Sequence, residues 1–180
     1  MIEIMSKALS DLLLSMAERR RTLDRGSYLF HRDDPVRSVF VVAEGAVELV
    51  RPQPDGKPIL VQRAEDRSVI AEASLYSDRY HCDAIAAAPS VISVISKLAF
   101  RLRLAADAGF AELWSSHLAT EMQKARYRSE ILTRKTVSER LDAWLDWRGS
   151  GLPHKGQWKG VALQIGVSPE ALYRELSKRR

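Results

Sequence analysis

The residues with the strongest chemical signature lie near the C-terminus, in Val161-Ala162-Leu163-Gln164-Ile165-Gly166-Val167-Ser168-Pro169-Glu170-Ala171-Leu172-Tyr173-Arg174-Glu175-Leu176. Read physically, this run is two short helices folded tightly on each other. Ala162 is small where the helices cross, and Gly166 supplies a left-handed turn residue that side chains with a Cβ resist. Val167 plugs the space between the helices. Ser168 caps the second helix, and Pro169 fills its first position, where a missing N–H costs nothing. Leu172 and Leu176, four apart, tie that helix to its core. Pro169, Glu170, Tyr173, Arg174 and Ser177 are left facing outward. A second helix of this kind puts its N-terminal residues against base edges in the major groove. Arg174 can pair with guanine O6/N7, and Glu170 can accept from cytosine N4. Ser168, Lys159, Lys178, Arg179 and Arg180 suit phosphates. Double-stranded DNA is therefore the expected partner; the alternative is a plain helical hairpin.

A second group, Arg79-Tyr80-His81-Cys82-Asp83, invites a metal or redox reading. Adjacent His81 and Cys82 would point to opposite faces of a strand, so they suit one ion poorly. His31, His117 and His154 are scattered without ligand spacing, and no metal site is expected. Cys82 is the single cysteine, which excludes an internal disulfide and a Cys-only zinc site. It is expected as a small buried hydrophobe, with a redox-sensing thiol as the alternative. No nucleophile–base pair or phosphate loop is visible, so an enzyme is not expected.

The elements that must position these residues fall into two textures. Residues 5–21 read as an amphipathic helix with Leu9, Leu12, Leu13 and Met16 on one face. From Leu23 to Ile95 short β-type runs alternate with turns: Ser38–Val42, Ala46–Val50, Ile59–Val61, Asp83–Ala86 and Val91–Ile95, with a turn at Pro52-Gln53-Pro54-Asp55-Gly56. Short strands at this spacing indicate a small antiparallel barrel or roll, and the absence of long helices between them argues against a doubly wound nucleotide fold. After residue 97 the pattern is helical. Ala99–Leu104 reads as a short helix, and a longer one spans about Phe110 to Arg134. On it Leu113, Trp114, Leu118, Met122, Ala125, Ser129 and Leu132 recur at spacings of mostly three and four. Such a narrow stripe on a charged helix is a dimer seam or an internal packing face; we expect a homodimer interface of Leu113, Leu118, Met122, Ala125, Ser129 and Leu132. Thr136 and Ser138 offer N-cap hydroxyls for a helix ending near Trp147. Gly149-Ser150-Gly151-Leu152-Pro153 is a loop, and short helices close the chain at about 158–165 and 169–178.

The chain has 180 residues and a net charge of +5. Residues 1–110 carry 15 basic and 15 acidic side chains, and residues 111–180 carry 13 and 8, so the whole surplus lies in the C-terminal part. A basic C-terminal part beside a neutral N-terminal part suggests two roles, one of them contact with phosphate; the alternative is a solvated helical surface. No apolar run reaches the roughly 20 residues of a membrane span. The start, Met1-Ile2-Glu3-Ile4, has no signal-peptide pattern. A cytoplasmic location is expected.

In this order, the residues resemble the Crp/Fnr family of bacterial transcription regulators. Leu23–Phe30 looks like that family's first roll strand, and Phe40-Val41-Val42-Ala43-Glu44-Gly45-Ala46-Val47 like its second and third. Asp55-Gly56 matches the hairpin that follows, and Ala71-Glu72-Ala73-Ser74-Leu75-Tyr76 is similar to its phosphate cassette. The resemblance implies an α+β protein: an N-terminal antiparallel β-roll (cyclic-nucleotide-binding-like jelly roll, 1–109), a long dimerisation helix (110–134) and a C-terminal helix-turn-helix (135–180). It implies a homodimeric DNA-binding regulator with a small-molecule effector. The effector pocket would involve Ala71, Glu72, Ser74, Leu75, Arg79, Tyr80, His81, Ala125 and Arg126. The family pattern is broken where nucleotide binders use Gly-Glu, an Arg with a small hydroxyl residue, and Thr-Ser. Here Ala71 replaces the glycine, Tyr80 and His81 stand at the Arg position and after it, and Ala125-Arg126 replace the Thr-Ser pair. Unpaired purine edges would cost roughly 1–3 kcal/mol per buried group, so standard cyclic AMP is not the expected effector and no cofactor is expected, with a cyclic nucleotide held by a register-shifted Arg79 as the alternative. The family's β-hairpin wing would follow the recognition helix, and the sequence runs out at Arg180, so a truncated DNA-binding part is expected. The alternative function is an effector-binding or protein-interaction module whose degenerate helix-turn-helix no longer reads DNA.

Overall fold

Ser38-Val39-Phe40-Val41-Val42 lacks polar alternation, and a strand of that texture must be covered on both faces. It forms β3 (Ser38–Glu44), with Val39 to Val42 all buried. The computed structural model describes residues 2–54, 58–149 and 151–179, with side chains from Lys7 onward. The Asp55-Gly56 turn, Ser150 of the 149–153 loop and Arg180 lie outside the described residues.

The other strands are β1 (Arg19–Leu23), β2 (Tyr28–Phe30), β4 (Ala46–Pro52), β5 (Pro58–Glu65), β6 (Val69–Ile70), β7 (Asp83–Ala86) and β8 (Ser90–Ser96). They make two antiparallel sheets, ordered β1-β8-β3-β6 and β2-β7-β4-β5. Between the sheets lies an apolar core of Leu29, Phe30, Phe40, Val42, Val47, Leu49, Ala64, Ile70, Ala84, Ile92 and neighbours. The opposite face of β3 carries Val39 and Val41. These pack with Leu9 and Leu13 of α1 (Ile2–Ser15), Phe100 of α2 (Lys97–Ala106), and Phe110 and Trp114 of α3 (Ala108–Thr133). The fold is α+β with an antiparallel roll, as the alternating short strands predict.

The chain divides into two compact units, residues 1–119 and 120–180. In the second, α4 (Val137–Arg148), α5 (Trp158–Gln164) and α6 (Pro169–Lys178) enclose Leu141, Trp144, Val161, Ala162, Ile165, Leu172 and Leu176. Ile131, from the end of α3, joins that core. Thr136 caps α4: its hydroxyl accepts from the Glu139 N–H at 3.1 Å, and the Glu139 carboxylate accepts from the Thr136 N–H at 2.9 Å. This reciprocal pair satisfies two N–H groups that helix geometry leaves orphaned.

One expected element is corrected. The helix expected over residues 5–21 stops at Ser15, and Arg19–Leu23 is strand β1, in register with Val94–Ser90 of β8. An edge strand tolerates charged residues, and the partner that supplies its hydrogen bonds is some 70 residues away in sequence.

Candidate nucleic-acid interface and effector site

The turn between α5 and α6 is built as its residue types require. Gly166 has φ +67°, a conformation that favours glycine, and a Cβ there would push aside the exposed Leu132 side chain, whose Cδ2 would lie 2.6 Å away. Ser168 Oγ accepts from the Ala171 N–H at 3.2 Å, and Pro169 opens α6. Leu172 and Leu176 are buried, which leaves Glu170 and Arg174 exposed on the N-terminal half of the helix. Glu170 is held below the usual carboxylate range, first by its own backbone N–H and then by the Ser168 hydroxyl. The Lys159 ammonium and Arg174 guanidinium add attraction, so the three side chains share one electrostatic neighbourhood. A carboxylate at a helix N-terminus also suits the helix dipole.

Tyr173 is half-buried, with its ring 5.5 Å from that of Trp158, whose Nε1 donates to Pro153 O at 2.8 Å. Sequence reasoning assigned Trp158 no role; the aromatic neighbour at Tyr173 is set by tertiary packing. Lys159 and Lys178 are exposed, Lys178 standing 4.0 Å from Glu175. Arg179 is committed within the chain. Its Nη1 lies 2.5 Å from Asp142 Oδ1, its Nε 2.9 Å from Glu175 Oε1, and its Nη2 donates to Ser138 Oγ at 2.7 Å. Arg179 thus fastens α6 to the start of α4, a use that local spacing did not reveal.

Of the expected effector residues in the roll, Ala71, Ser74, Leu75 and Tyr80 are buried, Glu72 is half-buried, and Arg79 and His81 are exposed. Ala71 adopts φ +59°, ψ +32°, the left-handed region, where the family pattern has glycine. It opens the 3-10 turn Glu72–Tyr76. Gln62 of β5, which sequence reasoning missed, accepts from the Ala71 N–H at 3.2 Å and donates to Glu72 Oε2 at 2.9 Å. The Glu72 carboxylate is therefore engaged within the chain. Ser74 is buried, and Leu75 packs with Val39 and Val41 on the helix-covered face of the sheet. Tyr80 is 3% exposed and stacks on Phe30 with centroids 3.6 Å apart, its hydroxyl donating to Ser38 O at 3.3 Å. Burial drives its phenol pKa up, with Asp34 adding to the effect. Tyr80 is a core residue. Arg79 is exposed and donates to Asp33 O at 2.6 Å, and His81 lies 3.2 Å from Ser77 Oγ. Cys82 is buried in the roll core, and burial pushes its thiol pKa up, the opposite of what a reactive thiolate needs. Among the described residues no group of three or more His, Cys, Asp or Glu could hold a metal ion.

On α3, Leu113 and Leu118 pack against the core shared with α1 and α2, and Trp114 is fully inside it. Met122, Ala125, Arg126 and Ser129 are not part of that core, and Met122 is 53% exposed. Leu132 lies against Gly166. Neighbouring Ile131, not Leu132, enters the core of the second unit.

Residues 20–107 match the model of the family described as the cyclic nucleotide-binding domain. This stretch has the cyclic nucleotide-binding fold. Solved structures extend the likeness beyond the roll. FixK2 from Bradyrhizobium japonicum is 20% identical with a TM-score of 0.72, covering 89% of this chain and 83% of that one. The c-di-GMP responsive global regulator CLP of Xanthomonas campestris is 18% identical with a TM-score of 0.71, covering 96% and 90%. A CRP-family transcriptional regulator from Thermus thermophilus is 18% identical with a TM-score of 0.67, covering 88% and 83%. At these identities the likeness is one of fold. No curated protein sequence matches the chain. Among the described residues no helix is long and apolar enough to cross a membrane.

Proposed function

We propose that this chain is a DNA-binding transcription regulator of Crp/Fnr type that acts as a homodimer, not an enzyme. The observation that carries the proposal is the turn-and-cap geometry from Gly166 to Ser168, which leaves Glu170 and Arg174 exposed at the start of a helix otherwise anchored by Leu172 and Leu176. That helix is the recognition helix of the proposal. Arg174 reads guanine, Glu170 accepts from cytosine, and Lys159 and Lys178 meet phosphates. Arg179 does not join them, because its guanidinium holds α6 to α4. The stripe of Met122, Ala125 and Ser129 is the proposed dimer seam, with small residues where two helices approach.

The residues of the roll do not fit a cyclic nucleotide. Glu72 and the Ala71 N–H are taken by Gln62, Arg79 is bound to Asp33 O, and Tyr80 is packed into an apolar core. A cyclic phosphate buried against that core without a cation would carry a heavy desolvation cost. The effector of the proposal is therefore not standard cyclic AMP. The test has two parts: selection from a random duplex library by the full chain, and calorimetric titration with cyclic AMP and cyclic GMP. Enriched palindromic half-sites and no tight nucleotide heat support the proposal. No enriched sequence supports an interaction module that no longer reads DNA, and micromolar nucleotide binding overturns the reading of the roll.

A further inference from the structure

Arg140, on the first turn of α4, turns its guanidinium onto the main chain. It donates to four backbone carbonyls: Leu132 O at 3.1 Å, Arg134 O at 2.9 Å, Ile165 O at 3.3 Å and Gly166 O at 3.0 Å. The first pair closes the C-terminal end of α3, and the second lies at the turn between α5 and α6. Helix ends leave their last carbonyls unpaired, and a cation there is also favoured by the helix dipole. A planar fork with five N–H donors can serve two such ends at once, which a lysine ammonium cannot do with the same rigidity.

The joint is tight on its other sides as well. A Cβ at Gly166 would meet Leu132 Cδ2 at 2.6 Å and Arg140 Nη1 at 3.4 Å, so the turn rests directly on the end of α3. Arg179 completes the frame by tying the end of α6 to Ser138 and Asp142 of α4. The end of α3, α4 and the recognition helix are therefore linked through two arginines on and against α4.

We propose that Arg140 is a positioning residue: by binding the carbonyl ends of α3 and of the α5–α6 turn together, it fixes the recognition helix against the end of α3 and so sets the half-site spacing that the dimer accepts. The inference rests on the DNA-reading proposal above. In a symmetric dimer joined along α3, the distance between recognition helices follows from how rigidly each is held to its own α3. Arg140 touches neither base nor phosphate in this account.

The experiment uses the full-length chain, the half-site it selects, and a series of duplexes in which two half-sites are moved apart base pair by base pair. Wild type is compared with Arg140→Gln and Arg140→Lys, each checked by thermal melting. We expect wild type to prefer one spacing sharply. The variants should keep the same base preference within a half-site, while the affinity ratio between the best spacing and its neighbours falls by about tenfold in Arg140→Gln, the order expected for losing a charge-assisted hydrogen bond. Arg140→Lys should fall between the two. A merely structural role would lower the melting temperature and weaken binding equally at every spacing, leaving that ratio unchanged. An unchanged ratio in a folded variant overturns the inference. Should Arg140→Gln fail to fold, the ratio in Arg140→Lys decides by the same criterion. If wild type selects no half-site at all, the DNA-reading proposal falls and this inference falls with it. If wild type selects half-sites and the variants match it at every spacing, only the inference falls.

Discussion

Truncating Tyr80 to alanine separates a filled roll from one with a hidden nucleotide site. The side chain is 3% exposed, and its ring lies on Phe30 at 3.6 Å between centroids, with Phe40 at 6.5 Å. Emptying a buried aromatic site costs about 3–5 kcal/mol, the loss of its stacking partner included. Tyr80→Phe keeps the ring and loses one hydrogen bond to Ser38 O, a cost of about 0.5–1.5 kcal/mol. For a unit of this size the alanine variant should melt on the order of 10–25 °C lower, and the phenylalanine variant only a few degrees lower. Scanning calorimetry of the roll transition gives both shifts, run without ligand and with millimolar cyclic AMP. The ligand should move neither wild type nor variant. If Tyr80→Ala melts within about 2 °C of wild type, the ring is not core, because a filled site cannot be emptied at that cost. If cyclic AMP also raises its melting temperature, Tyr80 is the lid of a nucleotide pocket and the reasoning about the roll is wrong.

Three further outcomes are expected. Ala71→Gly should raise the melting temperature of the roll, since alanine at φ +59° carries about 1 kcal/mol of strain that glycine avoids; a lower value would mean that the Ala71 methyl contributes more in packing than it costs in conformation. Met122→Asp on the exposed part of α3 should shift the chain from dimer to monomer in light scattering at micromolar concentration, and an unchanged mass would remove α3 from the interface. The second unit, residues 120–180, should lose stability in acid. Glu139 is held below its ordinary value of 4.5, first by the Thr136 N–H, so its contribution is complete above that pH and is lost as pH falls through the lowered folded value. Glu139→Gln should be less stable than wild type near neutrality and flatter in its pH dependence, as read from chemical denaturation at a series of pH values.

What the sequence revealed and what it hid divide along the distance over which each feature is determined. The run at Ser38–Val42 announced a strand, and Gly166, Ser168 and Pro169 announced the turn and cap of the second helix, because both signals are local. The Thr136 and Ser138 hydroxyls did the same for α4, where Thr136 is the cap. Arg19–Arg21 was read as the polar end of a helix because its strand partner is β8, far along the chain. Gln62 could not be singled out as the residue that engages Glu72, since nothing near it marks a glutamine as a latch. Arg140 was invisible for the same reason: its four acceptors are main-chain carbonyls, which leave no trace in side-chain type. The stripe on α3 was legible as a dimer seam or an internal packing face. It did not show that Leu113 and Leu118 are used inside the chain, nor that Ile131 rather than Leu132 turns into the second core.

The central claim, that α6 reads base sequence through Arg174, is tested most directly by comparing wild type with Arg174→Ala on the selected duplex and on a set with each base pair replaced in turn. Arg174 is exposed, so the variant should fold like wild type. Wild type should discriminate against replacement of one G·C pair by roughly 1–3 kcal/mol, and the variant should lose that discrimination at that pair while keeping it elsewhere. If Arg174→Ala keeps the full preference, or weakens equally on every duplex as a phosphate contact would, the account of base reading by this helix is contradicted.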